Sequence, residues 1–303
     1  MRILVTGAGG QLGSALRRVL AGSGMLTVGV GARAADGVDR VVDITDRAAV
    51  FAAIKAERPD AIIHAAAYTD VDGCERDPAR ATAVNADGAR HVAEATRAAG
   101  AYLIAVGTDF VFPGDGGAPY AENAPTGPLS AYGRSKLDGE QAVLAADPSF
   151  AVARTAWLYG GAGKHFPRTV LTVLRDRGGM EVVTDEAGNP TLADDLAASL
   201  VALLERRGAG VFHLVNEGRT NRYDLARAVA TAAGLSPNLV RPTTTAEFLA
   251  KYPIPAKRPA NSELKNTRAA ALGIRLRPWQ EAVAAYVPHL AAELEITGRE
   301  PVP

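Results

Sequence analysis

The chain has 303 residues, 48% of them apolar, with 33 basic side chains balanced by 33 acidic ones. That is ample for the core of one large domain or two unequal ones, and the charge balance leaves no electrostatic case for nucleic acid or an anionic membrane surface. The single cysteine, Cys74, excludes an internal disulfide, and the five histidines are scattered without metal-ligand spacing, so no metal site is expected.

Met1 leads directly into Arg2–Thr6, a β-rich run that leaves no room for a signal peptide. No apolar stretch is long enough to span a bilayer, and a cytoplasmic protein is the expectation. Gly7-Ala8-Gly9-Gly10-Gln11-Leu12-Gly13 follows, then a helical pattern through Leu16, Val19 and Leu20. Strand, glycine turn and helix form the setting of a dinucleotide-binding loop. Gly7, Gly10 and Gly13 permit a tight turn, close approach of backbone to a pyrophosphate and tight helix packing, with the helix N-terminus facing the phosphates. The second strand, Leu26–Val30, ends at Gly31-Ala32-Arg33. The acidic residue that would take a ribose 2′-hydroxyl is missing there and appears only at Asp36. Arg33 is placed to neutralise a 2′-phosphate, so NADPH is the expected cofactor, with NADH as the alternative.

Asp43-Ile44-Thr45-Asp46 precedes a helix over Arg47–Glu57, capped by Thr45 or Asp46. A buried strand through His64 then opens into Ala65, Ala66 and Ala67, small enough for a flat ligand to approach the backbone. His64 reads as a packed strand-end residue. Pro78–Ala99 reads as one long helix, in which Asn85 is an internal hydrogen-bonding brace. The apolar run Ala101–Val106 is a further strand, with Thr108 just beyond its end. Ser130 can cap the next helix, where Tyr132 and Lys136 share one face. A strand-end hydroxyl, a phenol and an ammonium can converge on one carbonyl, an arrangement suited to proton donation during hydride transfer.

Phe150–Ala153 continues the alternation of strands and helices, which predicts an α/β fold with a Rossmann-type doubly wound parallel sheet over residues 1–160. Past Gly160 the alternation loosens. His165–Arg177, Asp194–Arg207 and Arg222–Ala233 read as helices, Glu181–Val183 and Val211–Val215 as strands, and a tail rich in proline follows. This predicts a smaller C-terminal substrate-binding lobe over residues 161–303, with part of 192–216 returning to the sheet.

GAGGQLG at 7–13, DITD at 43–46, AAAYTDVDGCE at 65–75, TDFVF at 108–112, YGRSKLDGE at 132–140, RTAWLY at 154–159 and YPIPAKRPANSEL at 252–264 occur in one order over nearly the whole chain. Together they resemble the dTDP-4-dehydrorhamnose reductase family of the extended short-chain dehydrogenase/reductase superfamily. The resemblance implies reduction of the C4 ketone of a dTDP-4-keto-6-deoxyhexose. Thr108, Tyr132 and Lys136 would be the catalytic set. Gly7, Gly10, Gln11, Leu12, Gly13, Asp43, Ile44, Ala65, Ala66 and Ala67 would hold the cofactor with Tyr132 and Lys136, and Arg33 and Asn85, read above from the chain itself, are expected to join them. Val71, Thr108, Asp109, Phe110, Trp157, Arg258, Asn261 and Ser262 would face the nucleotide sugar. Gly107, Phe110, His64 and Asn189 depart from the residues usual in the family. Ala15 stands where some relatives place an acidic magnesium ligand at a dimer contact, so no metal is carried over, and monomer and homodimer both stay open. The alternatives are a sugar-nucleotide epimerase or dehydratase of the same superfamily, and a non-catalytic NADP-binding regulatory subunit.

Overall fold

The computed structural model describes residues 1–296. Among them, seven strands form one parallel sheet: β1 (Arg2–Thr6), β2 (Leu26–Gly31), β3 (Arg40–Val41), β4 (Ala61–His64), β5 (Tyr102–Thr108), β6 (Ala151–Thr155) and β7 (Gly210–His213). Their spatial order is β7-β6-β5-β4-β1-β2-β3. The middle strands are apolar on both faces because helices cover both. Ile3, Leu4, Ile62, Ile63, Leu103 and Ile104 are fully buried, with Leu4 beside Ile62 and Ile62 beside Leu103. Gln11–Ala21 packs on Ala193–Glu205, and Gly88–Ala98 packs on Arg47–Glu57 and Ala131–Ala146. The chain runs outward from β1 to β3, then returns to lay β4 on the other side of β1. That reversal opens a crevice beyond the C-terminal ends of β1 and β4.

Local chemistry sets several boundaries. Asp46, not Thr45, caps the helix Arg47–Glu57 by accepting from Ala49 N at 3.0 Å. Ser130 caps Ala131–Ala146 through Gly133 N at 3.2 Å. The single helix expected over Pro78–Ala99 needs correction. It divides into Pro78–Ala81, a π-helical turn Thr82–Asp87 and Gly88–Ala98. Asn85 lies in the wide turn. Its side chain accepts from Tyr68 N at 2.8 Å and donates to Tyr68 O and to Ser135 Oγ, each at 3.1 Å. Such turns inside helices often accompany functional sites.

A second cluster, built on Tyr159, Val170, Leu174, Val229, Val283 and Val287, lies among the helices Phe166–Arg177, Arg222–Ala232 and Trp279–Glu293. Met180–Val183 pairs with Val240–Thr243 in a small parallel sheet beside it. The tail is less irregular than its prolines suggest. Trp279–Glu293 is a long helix that carries Pro288 inside it. The strand expected at Val211–Val215 is shifted: it begins at Gly210 and ends at His213, paired with β6. No helix among the described residues is long and apolar enough to cross a membrane.

Candidate active site

A cleft of about 1910 Å³ runs from the crevice at β1 and β4 to the helices and small sheet around the second cluster. Ligand pockets usually span about 300–1,000 Å³, so this one has room for a dinucleotide and a sugar nucleotide together. Gly7, Gly10, Gln11, Leu12 and Gly13 line one end. Gly7 sits at φ +71°, where a Cβ would lie 2.8 Å from Ala66 N, and a Cβ on Gly13 would lie 2.6 Å from Ala8 Cα. Only glycine lets the loop fold this tightly against β4 and the first helix. That helix starts at Gly10 with no side chain capping it, so its first N–H groups are left for a ligand anion. Arg33, Asp43, Ile44, Ala65, Ala66 and Ala67 line the same end. Arg33 is exposed, and Asp43 keeps its turn closed by accepting from Thr45 N and Oγ1 at 2.9 and 2.8 Å. The loop, its bare helix end and the cationic rim fit an NADP-type dinucleotide.

His64 is a brace. Its Nδ1 lies 2.7 Å from Thr6 Oγ1, which also accepts from Ala66 N at 3.2 Å, tying β1 to β4. Burial pulls the imidazole down to about 3, with Lys136 adding to the effect, so the ring is neutral.

Tyr132 lines the cleft beside Thr108, its ring edge-on to Phe110 at 5.5 Å. Thr108 Oγ1 donates to Asp109 Oδ1 at 3.1 Å and accepts from Phe110 N at 3.3 Å. Lys136 is buried, and its Nζ donates to the Val106 carbonyl at 2.8 Å. An ammonium one turn away would by itself lower the phenol's pKa, but burial outweighs it here. Burial pushes Tyr132 above its ordinary value, with Thr108 opposing, so the phenol stays protonated. Lys136 itself is pulled down to about 8 by burial, against the pull of Glu140. Glu140 sits one turn beyond Lys136 and pairs with Arg154 at 2.8 Å, both side chains buried. Gly107 leaves the space that the Glu140 carboxylate fills.

Val71, Asp109, Phe110, Trp157 and Arg258 line the other end of the cleft. Arg258 is not waiting with a free guanidinium. It pairs with Asp72 at 2.8 Å, joining the tail to the helix Val71–Arg76. Burial raises Asp72, but Arg258 and the Ala256 N–H outweigh it and hold the carboxyl below its usual range. Asn85, Asn261 and Ser262 do not line the cleft. Asn85 holds the Tyr68 backbone, which does. Asn261 Nδ2 donates to Gly116 O at 2.7 Å and Ala118 O at 3.1 Å, and Ser262 is buried behind Asp109. Asn189, also buried, accepts from Leu264 N at 2.7 Å and donates to Gly218 O at 3.0 Å, pinning the tail. Arg222, Glu186 and Lys164 line the cleft without having been singled out in the sequence. No local motif marks them; strand pairing in the second lobe brings Arg222 in.

Arg258→Ala is expected to raise KM for a nucleotide diphosphate sugar by roughly 10-fold or more, because a guanidinium fork suits phosphate oxygens. NADPH affinity, read by fluorescence titration, should stay within a few-fold. Equal loss of both would instead mean that the Asp72 contact holds the lobe in shape.

The family model described as the RmlD substrate binding domain matches residues 1–292. The chain is 44% identical over 303 residues to a probable dTDP-4,6-dihydroxy-2-methyloxan-3-one 4-ketoreductase of Streptomyces antibioticus, covering 99% of each. It is 43% identical to a dTDP-4-dehydrorhamnose reductase of Mycobacterium tuberculosis, covering 99% of this chain and 97% of that protein. The crystal structure of dTDP-4-dehydrorhamnose reductase from Bacillus anthracis in complex with NADP superposes with a TM-score of 0.87 at 32% identity, over 94% of this chain and 98% of that one. A family match over nearly the whole length, on the same glycine-loop sheet with a hydroxyl and a phenol at its cleft, places the chain in the dTDP-4-dehydrorhamnose reductase family of oxidoreductases.

Proposed function

We propose that the chain uses NADPH to reduce the C4 ketone of a dTDP-4-keto-6-deoxyhexose, in the cytoplasm. The observation that carries this reading is the meeting of Thr108 and the protonated Tyr132 at the end of β5, within the cleft that the glycine loop also lines. Residues 1–160 would supply most of the dinucleotide half and residues 161–303 most of the sugar-nucleotide half. Bound NADPH supplies the hydride. Thr108 orients the carbonyl oxygen, and Tyr132 gives a proton to that oxygen as negative charge develops on it. Lys136 brings a positive charge beneath the pair, anchored by the Val106 carbonyl. Arg258 and the second lobe hold the nucleotide diphosphate, and Trp157 and Phe110 flank the hexose.

The test is NADPH oxidation on addition of a dTDP-4-keto-6-deoxyhexose, followed by absorbance, with the deoxysugar product identified. A protein that binds NADPH but turns over no such sugar would overturn the reading in favour of a binding subunit. The exposed Arg33 at the ribose end predicts that NADPH is preferred over NADH. One charge-assisted contact contributes about 1.5–3 kcal/mol, so the preference in kcat/KM should be on the order of 10- to 100-fold and should shrink in Arg33→Ala. A preference for NADH, unchanged in that variant, would contradict it.

A further inference from the structure

Three observations in the cleft wall converge on one side chain. The first is Trp157, which holds a backbone φ of +45°, in the left-handed region that a bulky residue seldom adopts. Its indole lies flat against Gly188, where a Cβ would sit 2.6 Å from Cε2. The second is Arg222, whose guanidinium stacks on that indole 3.6 Å from the ring centroid. Thr220–Asn221 pairs antiparallel with Ala187–Gly188, and Arg222 opens the helix that follows, which fixes it over Trp157. Its Nε pairs with the Glu186 carboxylate at 3.6 Å, and about a fifth of the side chain stays exposed at the cleft. The third is Asp109, 2% exposed, with Oδ1 engaged by Thr108 and the Ser262 hydroxyl beside its carboxylate. Asp109 and Arg222 are close enough for each charge to act on the other.

Arg222 therefore lines the cleft through Nη groups that Glu186 leaves free, close to the residue that follows the hydroxyl assigned to the ketone. On the proposed reaction, the hexose carbon next to the ketone that carries a hydroxyl is C3. We propose that Arg222 is a specificity-determining residue: its guanidinium donates to the C3 hydroxyl oxygen. The inference rests on the functional reading above. The contact orients the ring so that its C4 face meets the hydride source, and it makes a sugar lacking that hydroxyl a poor substrate.

The experiment compares a dTDP-4-keto-6-deoxyhexose with its 3-deoxy counterpart, in wild type, Arg222→Met and Arg222→Lys. A site built to hydrogen-bond a hydroxyl rejects the analogue without it strongly, so wild type should favour the hydroxylated sugar by about 10²-fold or more in kcat/KM. Arg222→Met should lose most of that activity yet change the 3-deoxy sugar by no more than about 3-fold, collapsing the ratio; Arg222→Lys, which keeps charge without the fork, should fall between. NADPH affinity and Tm, measured on the same samples, establish that each variant is folded, and if Met fails there the Lys variant decides. Equal losses on both sugars would reduce Arg222 to packing on Trp157 and overturn the proposal, as would a wild type indifferent to the C3 hydroxyl. A wild type that turns over neither sugar would instead bring down the functional reading, and this inference with it.

Discussion

Tyr132→Phe should lower kcat by about 10²–10⁴-fold, the usual worth of a positioned general acid, with substrate KM little changed because the ring and its contact with Phe110 remain. The reason lies in how the site sets charge. Burial keeps the phenol above its ordinary value, so it is a protonated donor throughout the working range. Lys136 is the group that titrates. Pulled down to about 8 by burial, it is an ammonium below that pH and neutral above it. Because the positive form is the one that helps the developing alkoxide, kcat/KM should decline as pH rises through about 8. Removing the lysine, in Lys136→Met, should lower kcat, weaken NADPH binding and abolish that limb. Retention of full activity by Tyr132→Phe would place the proton source elsewhere.

Arg154→Met should cost about 3–5 kcal/mol of stability, the typical result of stranding one member of a buried ion pair, against a total of about 5–15 kcal/mol for a folded domain. Arg154 donates to Glu140 Oε2 at 2.9 Å through Nε and stacks near Phe112. Without it the Glu140 carboxylate stays buried, with Lys136 as its remaining nearby cation. Burial already raises Glu140, so the variant's folded-state pKa climbs further above the unfolded value. A raised carboxylate penalises the fold fully above that folded pKa, and the penalty fades as pH falls from there to the unfolded value. The deficit should therefore be largest near neutrality and shrink on mild acidification, as read by denaturant titration at several pH values. Adding Glu140→Gln should recover a large part of the loss. A single variant as stable as wild type would mean that water reaches the carboxylate.

What the sequence made legible was local. β1, the glycine loop and the first helix follow from a run of β-formers, three spaced glycines and a 3.6-residue apolar period. Asp46 and Ser130 announce their helices by the same capping chemistry that the structure uses. The less legible features depend on distant partners or break a local rule. The π turn at Asn85 keeps a helical composition, and only Tyr68 and Ser135 reveal why the backbone widens there. Pro288 disguises the last helix, which tertiary packing through Val283, Val287 and Leu290 maintains despite the missing N–H. Arg258 reads as a free anion receptor until Asp72, far away in sequence, is brought beside it. Arg222 carries no motif, and its place over Trp157 is set by the pairing of two short strands.

The outermost strand, β7, comes from residues 210–213, well past the point where the alternating pattern loosens. A ribosome that has delivered β6 has therefore not yet finished the sheet. Until Gly210–His213 emerges, Ala151–Thr155 presents an apolar, unpaired edge, the kind of template on which nascent chains misassociate. For anyone wishing to express the dinucleotide half by itself, cutting at residue 160 would leave that edge permanently open. A fragment that keeps the chain through His213 would close it, along with the helix Ala193–Glu205 that covers Gln11–Ala21.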